Sequence, residues 1–298
     1  MAANEPVLPL AGRVAIVTGA SRGIGRAIAL HLASFGAGVV LGYASNAAQA
    51  DLLAAQINSS HEARAVAVRA DVSDPADVKS LFDRAESAFG GAAPHILVAC
   101  AGVLDPKYPA LADTALEDWD AAFNVNARGA FLCCQEAAAR LVRGGGGRIV
   151  TVSSSLVAAL LPGYAAYSAS KAAVEAMTKV LAKELRGTGV TANCVAPGPT
   201  ATELFFAGKS EETVKRIAEA SPLGRLGQPE DVAKLVGFLC TDAAEWVNGQ
   251  RQDMCTLELS SKHFTSNGTF KQSCTLKKQL SAMEADISAP NPPVTGAS

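Results

Sequence analysis

The chain has no apolar run near the roughly 20 residues that a bilayer-spanning helix requires, which excludes such a helix as its organising element. Its start, MAANEPVLPLAGRVAIVTGA, lacks a charged n-region followed by an apolar h-region and passes almost at once into a strand-like run, so no secretory signal is read. Charge is scarce and balanced. Only 18% of residues are charged and the formal net charge is −2, which argues against nucleic acid or an anionic membrane as the main partner, since both select a basic face. The seven cysteines are scattered apart from the adjacent Cys133 and Cys134, without CxxC pairs or histidine spacing suited to zinc. No metal site is therefore expected, and the thiols suit a reducing compartment. A soluble, cytoplasmic protein is the resulting expectation, and the glycosylation patterns at Asn58 and Asn267 are chance matches.

What is present is apolar material: 49% of the residues are hydrophobic, enough to build a substantial core. Short β-branched runs alternate with Ala-rich stretches of helical period through the first 250 residues. Strands are predicted over Val14–Thr18, Gly38–Tyr43, Ala65–Arg69, Ile96–Ala99, Arg148–Ser153 and Val190–Val195. Helices are predicted over Gly23–Phe35, Ala47–Asn58, Pro75–Phe89, Leu116–Leu141, Tyr164–Leu185 and Pro229–Cys240. The alternation predicts an α/β fold, a single-domain, Rossmann-type doubly wound parallel sheet over residues 1–250. After Gln250 the chain turns rich in Ser, Thr, Lys and Pro, so residues 251–298 are expected to be a divergent, largely disordered tail.

The first strand runs straight into Thr18-Gly19-Ala20-Ser21-Arg22-Gly23-Ile24-Gly25 and then a helix. Gly19 can take the positive φ of a tight turn, and Gly23 and Gly25 let backbone, ligand and helix approach closely. Amides exposed at the helix start favour an anion, so the segment reads as a dinucleotide cradle. The second strand ends at Gly42-Tyr43-Ala44-Ser45-Asn46 without the carboxylate that would accept from the ribose hydroxyls of NAD. With Arg22 as a cation and Ser45 as a donor for a 2′-phosphate, NADPH/NADP+ is preferred to NAD(H).

Tyr167 and Lys171 stand four apart in one predicted helix, so their side chains share a face. A free phenol, with a pKa of about 10, is a poor acid or base near neutrality, and an adjacent ammonium moves it toward the working range. Ser154 closes the preceding strand at the carboxyl edge, where parallel sheets bind ligands, and can stabilise charge developing on a substrate oxygen.

On these residues the chain resembles the short-chain dehydrogenase/reductase family, from about Leu10 to Gln250. Thr18–Gly25 matches the family's TGxxxGxG motif, and Ser154 precedes Tyr167 by its usual interval. The resemblance implies further roles: Asn126 as the active-site asparagine of a proton relay, and Asp71, followed by Val72, as the acid contacting adenine. It also implies Ala101 and Gly102 lining the ribose by backbone, and Lys171 binding the nicotinamide ribose. The loop Pro197-Gly198-Pro199-Thr200-Ala201-Thr202 would hold the nicotinamide carboxamide, with Thr202 as side-chain donor. Within the family, Tyr43-Ala44-Ser45 and this loop are most similar to plant NADPH-dependent aldehyde reductases and fungal naphthol reductases. Two positions depart from the family pattern. Ala99-Cys100-Ala101-Gly102 stands where Asn-Asn-Ala-Gly or Asn-Ser-Ala-Gly is usual, Cys100 being read as a packed small residue in preference to a redox-sensitive thiol. Arg251-Gln252-Asp253-Met254 stands where a seventh strand is usual, so an atypical tail in place of the last strand, an exposed sheet edge and altered assembly are expected.

The implied activity is hydride transfer between NADPH and the carbonyl of an aldehyde or ketone, with alcohol oxidation as its reverse. Catalytic residues would be Asn126, Ser154, Tyr167 and Lys171. Cofactor residues would be Gly19, Ser21, Arg22, Gly23, Ile24, Gly25, Tyr43, Ser45, Asp71, Val72, Ala101, Gly102, Tyr167, Lys171, Pro197, Gly198, Thr200 and Thr202. The alternative is an NADP(H)-binding protein without significant catalysis, compromised by its altered C-terminal part. The partner would be a small carbonyl compound, closed in by Val103–Ala115 and by Glu203–Ala220 with the apolar Leu204, Phe205 and Phe206. Homo-oligomers are usual in the family.

Overall fold

The computed structural model describes residues 8–60 and 64–255. Its strands are β1 (Val14–Thr18), β2 (Gly38–Tyr43), β3 (Ala65–Arg69), β4 (Ile96–Ala99), β5 (Arg148–Val152), β6 (Thr191–Pro197) and β7 (Arg251–Met254). They form one parallel sheet in the order β3-β2-β1-β4-β5-β6-β7. This is the doubly wound α/β class expected from the alternation of elements. Helices cover both faces, so the inner strands are continuous apolar runs rather than alternating ones. In β1, Ala15 and Val17 enter one core with Ile28, Leu32 and Val236. Val14 and Ile16, pointing the other way, enter a second core with Leu81, Phe82 and Ile149.

The helices that matter for the site are α1 (Gly23–Ser34), α2 (Ala47–Ser60), α3 (Pro75–Ala88), α4 (Leu116–Ala122), α5 (Gly129–Arg140), α6 (Leu156–Ala159), α7 (Ala165–Glu184) and α8 (Glu203–Phe206). They are followed by α9 (Glu211–Ala220) and α10 (Pro229–Cys240). The single helix predicted over Leu116–Leu141 is interrupted by a π-helical turn, Phe123–Arg128. Just after it a Cβ on Gly129 would lie 2.6 Å from Val72 Cγ2, so the helix passes closely over the loop after β3 there.

The expectation of a missing last strand is corrected. Arg251–Met254 pairs in register with Cys194–Pro197, past the boundary expected after Gln250, and β6 is buried along its length instead of forming the edge. Side chains steer the chain there. Asn193 donates to Val247 O at 2.7 Å and accepts from Gln250 N at 3.1 Å, and Asn248 accepts from Ala192 N at 2.9 Å. Backbone pairing then needs no valine. The expected disorder of the tail from residue 256 onward lies outside the described residues.

In this strand order the connections leave β1 and β4 in opposite directions. A crevice opens at their carboxyl ends, and the turns after β1, β4, β5 and β6 all meet it.

Candidate active site

The turn after β1 is built for close approach. Gly19 has φ 66°, and a Cβ there would lie 2.9 Å from Ala101 Cα; a Cβ on Gly25 would lie 2.3 Å from Gly19 O. Thr18 fastens the same corner, its hydroxyl accepting from Cys100 N and Ala101 N at 3.1 Å each. No side chain caps the start of α1, so the amides of its first turn face the crevice without an internal acceptor. These features fit a pyrophosphate group. Ser21 is buried, Gly23 and Ile24 are half-buried, and Arg22 is exposed with Nη1 2.5 Å from Glu203 Oε2.

Tyr43 is half-buried at the end of β2 and Ser45 is exposed just after it, with no carboxylate between them. The Asp71 carboxylate accepts from Ser73 N at 2.9 Å and Ser73 Oγ at 2.8 Å, bonds that hold it below the ordinary carboxylate range and keep it ionised beside buried Val72. Ala101 and Gly102 line the same crevice after β4. Buried Pro197 ends β6; past it Thr200 is buried and Gly198 sits where a Cβ would lie 2.4 Å from Cys255 O. Thr202 caps α8, accepting from Phe205 N at 3.2 Å, and packs its methyl toward Gly23. The two glycine-bearing segments expected to embrace a dinucleotide thus face each other.

Ser154, Tyr167 and Lys171 converge at the end of β5. The Ser154 hydroxyl lies near the Tyr167 phenol, near enough to favour its ionised form. Lys171 is 3% exposed, donates to Val152 O at 2.8 Å, and has Nζ 5.9 Å from the Tyr167 ring centre. Asn126, 1% exposed, sits in the π-helical turn. Its Oδ1 accepts from Val103 N at 2.8 Å, and its Nδ2 donates to Val103 O and Ser170 Oγ at 3.0 Å each. Such turns recur at functional sites because they re-aim one side chain.

The electrostatics differ from the sequence expectation. Burial pushes the Tyr167 phenol up to about 12, the Ser154 hydroxyl pulling the other way, and burial pulls Lys171 down. The two groups share one low-dielectric pocket, so desolvation outweighs their mutual effect. Cys100 is pushed up to about 11 by burial, the opposite of a reactive thiol, which fits the packed-residue reading.

Three features were not found from sequence. Tyr108, Tyr164 and Lys209 form a cluster over the crevice: the Tyr108 and Tyr164 ring centres are 5.0 Å apart, and Lys209 Nζ donates to Tyr108 OH at 2.5 Å and Phe205 O at 2.7 Å. Glu203 pairs with Arg22, and Glu175 lies buried next to Ser153. Only Glu175 left a signal, being four residues beyond Lys171 on the same helical face. Among the described residues no group of three His, Cys, Asp or Glu could hold a metal ion, and no helix is long and apolar enough to cross a membrane.

A family model described as enoyl-(acyl carrier protein) reductase matches residues 19–254. The chain is 60% identical over 255 residues to a chloroplastic NADPH-dependent aldehyde reductase-like protein of Arabidopsis thaliana, an alignment covering 83% of this chain and 94% of that one. It is 60% identical over 246 residues to a short-chain type dehydrogenase/reductase of Picea abies, covering 81% and 90%. Among solved structures, a short chain dehydrogenase from Burkholderia cenocepacia in complex with NADP superposes with a TM-score of 0.76 at 37% identity, covering 83% of this chain and 98% of that one.

Proposed function

The chain belongs to the short-chain dehydrogenase/reductase family, and we propose that it is an NADP(H)-dependent reductase of aldehyde or ketone carbonyls, able to run in reverse as an alcohol dehydrogenase. The observation that carries this reading is the convergence of Ser154, Tyr167 and Lys171, with Asn126 behind them, on the crevice opened by the glycine turn. Gly19, Ser21, Gly23, Ile24 and Gly25 would hold the pyrophosphate. Arg22, Tyr43 and Ser45 would meet the 2′-phosphate end, Asp71 and Val72 the adenine, and Ala101 and Gly102 the ribose. Pro197, Gly198, Thr200 and Thr202 would hold the nicotinamide. The preference for NADPH is supported by the missing acid after β2 and by the coenzyme in the names of the Arabidopsis relative and the Burkholderia structure.

NADPH, when bound, supplies the hydride. Tyr167 donates its phenolic proton to the substrate oxygen; burial keeps the phenol protonated until then, and the ammonium of Lys171 would favour the phenolate left after the transfer. Ser154 donates a hydrogen bond to that oxygen and favours the charge developing there. Lys171 binds the nicotinamide ribose, and Asn126, clamped to Val103 and Ser170, fixes the back wall of the proton relay. The rival reading, a binding protein without catalysis, rests on the altered C-terminal part; the pairing of Arg251–Met254 with β6 supports the enzyme instead.

The test is turnover of NADPH with a panel of small and aromatic aldehydes and ketones. Tyr167→Phe is expected to lower kcat by about 10² or more while leaving NADPH affinity within about twofold; a variant that keeps full activity refutes the assignment. The cytoplasmic reading and a homo-oligomeric state belong to the same proposal. The Arabidopsis relative's name carries the word chloroplastic, so a fluorescent fusion of the full chain decides the compartment, and light scattering decides the assembly.

A further inference from the structure

Tyr167 and Lys171 begin a longer series. Glu175 follows Lys171 by four residues, so all three lie on one face of α7. Each faces a different residue at the end of β5: Tyr167 the Ser154 hydroxyl, Lys171 Val152 O, to which it donates at 2.8 Å, and Glu175 Ser153 Oγ, from which its Oε1 accepts at 2.7 Å. Ser153 Oγ also lies 3.3 Å from the Lys171 carbonyl, so it bridges two turns of the helix.

Glu175 is only 9% exposed, and a carboxylate so enclosed requires a counter-charge. The counter-charge comes from β7. Arg251 Nε donates to the same Glu175 Oε1 at 2.7 Å, its Nη1 pairs with Asp253, and its Nη2 points at Ser154 O from 3.5 Å. One guanidinium therefore meets the carboxylate of α7 and faces the main chain of the serine expected to act on substrate.

We propose that Arg251 and Glu175 are positioning residues for carbonyl reduction: their ion pair holds Ser153, and through it sets Ser154 on β5 in register with Tyr167 and Lys171 on α7. The inference rests on the proposed roles of those three residues. Neither Arg251 nor Glu175 touches the crevice; they act from one residue behind Ser154 and one turn beyond Lys171. Their leverage follows from geometry, because misplacing a reacting group by about 1 Å can cost about 10² in rate.

The test compares the full-length chain with Arg251→Met, Arg251→Lys and the double variant Glu175→Gln/Arg251→Met. Arg251→Met is expected to lower kcat about tenfold or more while KM for the carbonyl and affinity for NADPH stay within about twofold, and to melt about 10 °C lower. Arg251→Lys should recover part of kcat. The double variant should recover most of kcat and most of the melting temperature, because a neutral amide still accepts from Ser153 and needs no cation. Arg251→Met with a lower melting temperature but unchanged kcat overturns the inference, leaving the pair a purely structural one. If Arg251→Met does not fold, a folded double variant that remains tenfold slow overturns it equally. Tyr167→Phe measured alongside separates the two readings: turnover in that variant overturns the site assignment, whereas its loss together with normal kcat in Arg251→Met overturns only the positioning role.

Discussion

The Arg22 guanidinium, expected to meet a 2′-phosphate, is shared with a carboxylate: Glu203 Oε2 lies 2.5 Å from it, with the two side chains 62% and 72% exposed. Glu203 directly follows Thr202, so the pair spans the crevice from the glycine turn to the start of α8. If Arg22 meets the 2′-phosphate as proposed, that phosphate and Glu203 compete for one cation, and NADH brings no competitor. Exposed pairs are worth at most about 1 kcal/mol, or roughly fivefold in affinity. Glu203→Gln is therefore expected to tighten NADPH about two- to fivefold at low salt, to leave NADH unchanged, and to lose the gain as salt screens the site. Equal tightening of both coenzymes in a fluorescence titration would mean that Arg22 does not read the phosphate. At this scale the legible residues were those whose partners share one element or one turn: Gly19, Gly23 and Gly25, or Tyr167 and Lys171. Arg22 and Glu203 are 181 residues apart, and nothing local announces the pair. The sign of the Tyr167 shift was equally hidden, because it depends on how much protein surrounds the phenol and the ammonium together.

The segment 203–209 and the loop after β4 are tied together by few bonds. Tyr108, at φ 51°, donates its hydroxyl proton to Ala207 O at 2.7 Å and accepts from Lys209, which also bonds Phe205 O. A positive φ in a tyrosine is costly and persists only where surrounding contacts impose it. Tyr108→Phe keeps the ring tilted against Tyr164 but removes both hydroxyl bonds, so α8 should open more often. The expected result is a several-fold rise in KM for the carbonyl with little change in NADPH affinity, and faster limited proteolysis within 203–209. Unchanged KM together with unchanged cleavage would show that α8 is held by something other than Tyr108. Sequence periodicity located the long elements well, since β1 to β6 and α1, α3, α7 and α10 lie within a residue or two of their predicted spans. It passed over α6, α8 and α9, whose four to ten residues show too few turns for a 3.6-residue period to emerge. It also read straight through the π-helical turn at Asn126, whose side chain bonds Val103, a partner that local periodicity does not reveal.

Composition alone places the end of the sheet before Arg251, because Arg251-Gln252-Asp253-Met254 holds no β-branched residue. Pairing with β6 and the Arg251–Glu175 ion pair supply what side-chain propensity does not, a case of tertiary context overriding local preference. Charge placement across the whole molecule also sets how the fold responds to acid. His31 and His95 are pulled below their ordinary value by burial, and the His95 ring nitrogen accepts from Val14 N at 3.3 Å, a bond that protonation of that nitrogen abolishes. Asp71, Asp231 and Asp242 are held below the ordinary carboxylate range by hydrogen bonds from Ser73, from Arg225 and from Arg13 respectively. In each case the unfolded chain binds its proton at higher pH than the folded one, so protonation favours unfolding. The histidine contribution is complete above about pH 6.5 and declines as pH falls through the lowered folded values; the carboxylate contribution is complete above about pH 4 and declines below it. Melting temperature is therefore expected to fall in two stages on acidification, the first below about pH 6.5. Replacing both histidines by glutamine, which stays neutral, should flatten the first stage and leave the second. A wild-type melting temperature constant from pH 7 down to pH 4 would show that neither ring gains a proton on unfolding, and would remove burial of His31 and His95 as a determinant of acid stability.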